Sequence, residues 1–198
     1  MIGEAVVGGF ILTVFQSGMS LQSDLAHLKN DFKLQGMIVA SPTNWLIYIV
    51  GLVIGEIIYL LPALIVLTIL SYYFLALSII GIIALIGVLL LMFLVSMAIG
   101  YALSTYSSGI VQSFAFSRLR ATLFSTIPPV YYPITFIPLP FRYLAYLSPT
   151  TYAAELAQSA AGFVQPPLTN IILDWVVLVA LTIVLFIVAA TKARWREV

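Results

Sequence analysis

In the stretch WLIYIVGLVIGEIIYLLPALIV a single carboxyl group, Glu56, interrupts an otherwise uncharged run. It lies eleven residues beyond Trp45, about 16 Å along a helix, and so close to the middle of a bilayer if the segment crosses one. An ionisable group at that depth costs roughly 3 kcal/mol on insertion scales and faces a bundle interior or a wet cavity. No basic residue sits at comparable depth. Three arrangements are open: a protonated carboxyl, a hydrogen bond to a polar group across a helix contact, or contact with water. The neighbouring Gly51 and Gly55 suggest a close helix contact in which Glu56 serves as glue; the other reading puts it on a transport path.

Other chemistry is sparse. There is no G-x-x-x-x-G-K-[ST] run, so the backbone cradle that holds nucleotide phosphates is missing. His27 is the one histidine, and without nearby ligands it makes no zinc site. The chain has no cysteine, which removes disulfides, thiolate metal sites and thiol nucleophiles. No Ser, His and Asp set with plausible mutual approach exists. The sequence therefore predicts no enzyme site, no metal site and no cofactor bound by this chain.

The elements that position Glu56 follow from composition. Hydrophobic residues make up 63% of 198 positions and charged residues 8%, against about 45–50% and about 25% in soluble domains. From Ile57 to Ser117 no residue is charged, about three times the chain that one helix needs to cross roughly 30 Å of hydrocarbon. The expected fold is all-α, a polytopic integral membrane protein in a single transmembrane domain. Five spans are expected at about residues 2–21, 45–70, 74–103, 119–136 and 171–190. The first is read as a retained span, because its only early charge is the acidic Glu4 where a signal peptide would carry a basic leader.

Lys29 and Lys33 follow the first span, Arg118 and Arg120 the third, and Lys192, Arg194 and Arg196 the fifth. With alternating crossings these share one face, which the positive-inside rule makes cytoplasmic, together with the C-terminus. Only Arg142 then lies outside. The net charge of +1 and the scatter of its bases argue against nucleic acid as a partner. Met1 would be outside, which suggests that a leading helix is lacking. Small residues recur at four-residue spacing at Gly51 and Gly55, at Ser96, Gly100 and Ser104, and at Gly9, Thr13 and Ser17. Such stripes let helices approach closely in a bilayer, within one subunit or between two.

Six of the ten prolines fall between Ile127 and Leu156: Pro128, Pro129, Pro133, Pro138, Pro140 and Pro149. Pro128–Pro129 should kink or end the fourth span, since each proline removes a donor and restricts its predecessor. Beyond it, LPFRYLAYL gives barely two turns after Pro140. SPTTYAAELAQSAAG reads as a second short helix, with Ser148 as N-cap, Pro149 at the first position and Gly162 after the end. Both pieces, within residues 140–162, are too short to cross and are expected to be extracellular, interfacial or re-entrant. An aromatic belt is one reading of their many rings; a lid of two helices over a pathway is the other, carried by Pro133, Pro138, Pro140, Pro149, Tyr152 and Glu155. Glu155 and Asp174 are expected to face water or headgroups at the outer interface.

The run YYPITFIPLPFRYLAYLSPTTYAAELAQ resembles the signature of the membrane subunit of type-2 ABC transporters: a Pro after an aromatic, a Leu-Pro, and a P-T-T-Y element in order. Upstream, FKLQGMIVASPTNWLIYIVGLVIGEIIYLLPALIV is similar to that family's cytoplasmic link into the next span. The resemblance covers nearly the whole chain. It departs where NDFKLQG replaces an acidic-Gly-Thr run, and where Gln158 stands in place of a common Arg. The family pattern implies six spans, by which this sequence would be expected to start at the pattern's second.

The resemblance implies a permease subunit of an ATP-driven exporter. Two membrane subunits would pair as a homo- or heterodimer, and a separate ATPase subunit would hold the ATP and Mg. Gln22–Asn44 would be the segment that docks on the ATPase, with Lys29, Asn30, Asp31, Phe32, Lys33, Gln35 and Pro42 as its coupling residues; its composition alone reads as a linker with a short helical stripe. Two other classes stay open: a proton-coupled secondary transporter that uses Glu56 as relay, and a structural membrane fragment without transport.

Overall fold

The computed structural model describes residues 2–30, 45–75, 77–104, 115–116, 118–119, 122–123 and 129–192. In hydrocarbon every backbone N–H and C=O must find its partner within the segment, and uninterrupted apolar runs therefore close into helices. Among the described residues four such helices result: α1 (Ile2–Asn30), α2 (Trp45–Phe74), α3 (Ile79–Ser104) and, after two short helices, α6 (Leu168–Lys192). All four are long and apolar enough to span a membrane. The short ones are α4 (Phe141–Ala145) and α5 (Pro149–Ala160), preceded by a 3-10 turn over Ile134–Phe136. Among the described residues there is no strand.

Some boundaries depart from expectation: α3 begins at Ile79 and not near residue 74. α1 does not stop near Leu21 but runs through Gln22 and Ser23, both buried, to Asn30. Those polar residues continue the helix because they lie against the bundle rather than in water. Within the expected fourth span, 119–136, the helix is interrupted at the prolines, as their chemistry predicts. Leu119, Thr122 and Leu123 are helical, but Pro129 through Tyr132 follow an irregular path into the 3-10 turn. Pro129 and Pro133 supply no N–H, so the helical ladder cannot continue there. The remainder of that segment lies outside the described residues.

α1 is the central rod, packed against α2, α3 and α5, while α3 also contacts α5 and α6. Its closest approach is to α3. A Cβ on Gly100 would meet the Gly18 carbonyl oxygen at 2.8 Å, and one on Gly18 would collide with the Ser96 side chain. Only hydrogen at both positions lets the two backbones meet, the small-residue mode of packing in lipid. The Ser96–Gly100 stripe is thus used within the subunit. So is the Gly9–Ser17 stripe, which faces Leu67 and Glu56 of α2. Gly51 and Gly55 correct the expectation: a Cβ at either would touch nothing within 4 Å, so the contact made by Glu56 does not run through them.

Candidate functional site

Glu56 is 6% exposed, on the face of α2 that packs on α1. The Ser17 hydroxyl donates to its Oε2 at 3.0 Å, and the Ser20 hydroxyl shares its one hydrogen between Glu56 Oε1 at 2.9 Å and the Ser17 carbonyl at 2.6 Å. Ser17 and Ser20 lie three apart on a helix and so present both hydroxyls to one partner. Asp24, the next turn along α1, is a further hydrogen-bonding neighbour of the Glu56 carboxyl. The arrangement joins α1 to α2 by hydrogen bonds in a setting where water offers none, and it can hold or pass a proton.

At the other end of the bundle the proline-rich residues form a braced layer. Pro133 is extended and leads the 3-10 turn; Pro138 and Pro140 are exposed on either side of Leu139; Pro149 is buried at the first position of α5. Arg142 on α4 donates through Nη2 to the carbonyls of Thr135 and Ile137, each at 3.2 Å, and so ties the turn to the helix. Ser148 holds the N-cap position of α5, but its hydroxyl pairs with Thr150 Oγ1 at 2.7 Å instead of a backbone N–H. Thr151 Oγ1 donates to the Ala145 carbonyl and stitches α5 to α4. α5 ends in a paired C-terminal motif: Gly162 N–H donates to Ser159 O and Phe163 N–H to Gln158 O, each at 3.0 Å. Gly162 has φ +77, the left-handed conformation that such an ending requires and that glycine adopts without strain.

Gln158, the residue that departs from the family pattern, is 1% exposed. Its amide donates to the carbonyls of Val130 and Tyr132, at 3.5 and 3.4 Å. These are carbonyls that the proline interruption leaves without a regular helical donor, and supplying one from a neighbouring helix is how broken backbone survives in a membrane. From the opposite side, Gly8 of α1 leaves room for the same stretch; a Cβ there would meet the Val130 carbonyl at 2.8 Å.

Glu155 and Asp174 do not face water as expected. Asp174 is 4% exposed on α6 and hydrogen-bonds to Glu155 of α5, which is half-buried. The Tyr146 hydroxyl donates to Glu155 Oε1 at 3.2 Å, and the Tyr152 hydroxyl to the Tyr146 carbonyl at 2.9 Å. Burial pushes the Glu155 carboxyl above its usual range, while its bonds with Tyr146 and Asp174 and the nearby Arg142 charge pull it back. Burial together with the Glu155 charge pushes the Tyr146 phenol up to about 12. Sequence reading missed this cluster because each residue lies at an apparent interface, where a charge needs no special partner. It likewise missed Ser17 and Ser20, two of many serines.

Of the coupling residues, Lys29 and Asn30 close α1. Asp31, Phe32, Lys33, Gln35 and Pro42 lie outside the described residues. Among the described residues no group of three or more His, Asp or Glu gathers as metal ligands would.

No curated protein matches the chain. The family model for the ABC-2 type transporter matches residues 6–161, from the first turns of α1 through the end of α5. That match takes in both the Glu56 junction and the braced proline layer. The apolar helices and the family agree on a multi-pass membrane protein of transmembrane transport, and the chain belongs to the ABC-2 type transporter family.

Proposed function

We propose that the chain is the permease subunit of an ATP-driven exporter, with five spans, a cytoplasmic C-terminus and α4–α5 as an outer lid. Two membrane subunits pair, and a separate ATPase subunit binds ATP and Mg and docks on the segment 22–44. Closure of the ATPase on nucleotide then moves α1 and switches access to the path.

One observation carries this reading. α1 is a single helix of 29 residues, about 43 Å long, against roughly 30 Å of hydrocarbon. It touches α5 near one end and delivers Lys29 and Asn30 at the other. A rod of that kind transmits a push at the coupling segment to the lid without an intervening hinge. The test is export from vesicles that contain the chain together with a co-purifying P-loop ATPase. Export that requires ATP supports the proposal; export that continues without nucleotide contradicts it.

The hydrogen-bonded set of Glu56, Ser17, Ser20 and Asp24 favours a second reading, a proton-coupled transporter with Glu56 as relay. Its signature is nucleotide-independent export that disappears in Glu56→Gln.

A further inference from the structure

α2 ends at Phe74 and α3 begins at Ile79, yet these consecutive spans pack on α1 and scarcely on each other. The wedge between them is a cavity of about 740 Å3, within the range of about 300–1,000 Å3 typical of small-molecule sites. From Ile57 to Tyr72 it follows α2 for about 22 Å, more than the roughly 15 Å of a single leaflet's hydrocarbon. Its floor is Phe10 and Val14 of α1.

The polarity of the wall is graded. Thr68, Ser71 and Tyr72 are its polar side chains, and all three sit in the last two turns of α2, at the mouth. The Thr68 and Ser71 hydroxyls spend their hydrogens on the carbonyls of Leu64 and Thr68, each at 2.7 Å, so they make the mouth polar without a hydrogen to give a ligand. Tyr72, 84% exposed, adds a phenol at the level where headgroups begin. Below that the wall is Leu, Ile, Val and Phe alone. The outer edges of the cavity, Ile57 on α2 and Ile86 and Leu90 on α3, are among the exposed aliphatic residues, so the wedge opens sideways onto a face that hydrocarbon wets.

We infer that this wedge is a binding site for a diacyl lipid, with one acyl chain lying between α2 and α3 and the acceptor oxygens of the ester region at the level of the Tyr72 hydroxyl, the one polar group of the mouth with a hydrogen to donate. The gradient from hydroxyls to pure hydrocarbon along the wedge is that of a lipid entering from one leaflet. A helix of a second copy is the weaker fit. Helices dock in bilayers through small residues, and below the mouth this wall has none, whereas the open Gly51 and Gly55 lie beyond it. The site lies within one subunit and does not depend on ATP coupling.

The test uses the full chain with Trp45, Trp175 and Trp195 replaced by Phe and one tryptophan introduced by Leu89→Trp, reconstituted in phosphatidylcholine brominated within its acyl chains. Quenching as strong as for the lipid-facing control Ile83→Trp is expected; quenching less than a third of the control overturns the site. Bulk that fills the wedge supplies the second measurement. The unsubstituted chain purified in mild detergent should retain about one phospholipid per copy by mass spectrometry, and Leu85→Phe/Leu89→Phe should lose it while keeping its elution volume. Equal retention in the two proteins, or disulfide cross-linking of Leu89→Cys between copies, also overturns the proposal.

Discussion

Gly100 and Gly18 bring α3 and α1 together backbone to backbone, with no side chain between them. Gly100→Val places a methyl-bearing carbon against the Gly18 carbonyl, which lacks the freedom of a side chain to move aside. Overpacking of that kind costs about 1–3 kcal/mol, and the upper end is expected here. Gly55→Val, at a position whose Cβ meets nothing, should leave the thermal midpoint in detergent unchanged. Similar midpoints for the two variants would mean that α1 and α3 do not meet at these glycines.

Glu56 distinguishes glue from relay. Interhelical hydrogen bonds in membranes average about 0.6 kcal/mol each, so Glu56→Leu, which removes the acceptor of Ser17 and Ser20, should cost about 1 kcal/mol. Glu56→Gln keeps an acceptor and should lose less than half of that in unfolding assays. If Glu56 is glue, Glu56→Gln also keeps ATP-driven export within about twofold of the parent. Export that falls with stability intact assigns the carboxyl to the path instead.

The braced outer layer should be sensitive to pH through Glu155. Its carboxyl is held above the ordinary value near 4.5, chiefly by burial. A raised carboxyl binds more protons when folded than when unfolded, so stability is full below that ordinary value and falls as pH rises through the shifted one. The groups facing it are Tyr146, Asp174 and Arg142. Thermal midpoints measured from pH 4 to 8 should decline for the parent and decline less for Glu155→Gln. Identical profiles would show that Glu155 is as solvated in the folded protein as in the unfolded chain.

The absence of native cysteine makes single-cysteine labelling clean. Leu147, 77% exposed between α4 and α5, is a suitable site, whereas Thr151 is fully buried and would be silent from either side. A membrane-impermeant maleimide should label Leu147→Cys in intact cells and Lys29→Cys only after lysis. The reverse pattern would invert the topology and remove the lid.

Much of the fold was legible because proline, glycine and charge are local signals. The charge-free run after Glu56 requires helices whatever else is nearby, and Pro149 with Gly162 brackets α5 by backbone rules alone. What could not be read depends on which distant segments meet. Glu56 finds its donors 36 and 39 positions away, and nothing in the spacing of Ser17 and Ser20 announces them. The Gly51–Gly55 and Ser96–Gly100 stripes look equally suited to close packing, yet a Cβ at Gly51 or Gly55 meets nothing within the chain whereas Ser96 and Gly100 lie against α1. α1 outran its expected end because Gln22 and Ser23 are polar by type but buried by position. Asp174 and Glu155 were assigned to water for the same reason in reverse: hydropathy sees depth, not the neighbour across a helix contact.

The central claim is that segment 22–44, which starts within the last turns of α1, receives the ATPase, and the most direct measurement is the affinity of the purified permease for its co-purifying ATPase. Phe32 is the aromatic of that segment, and loss of an aromatic anchor from an interface costs at least about tenfold in affinity. Phe32→Ala should therefore weaken ATPase binding by that factor while membrane insertion stays at the level of the parent. Unchanged affinity in a normally inserted Phe32→Ala protein would contradict the account.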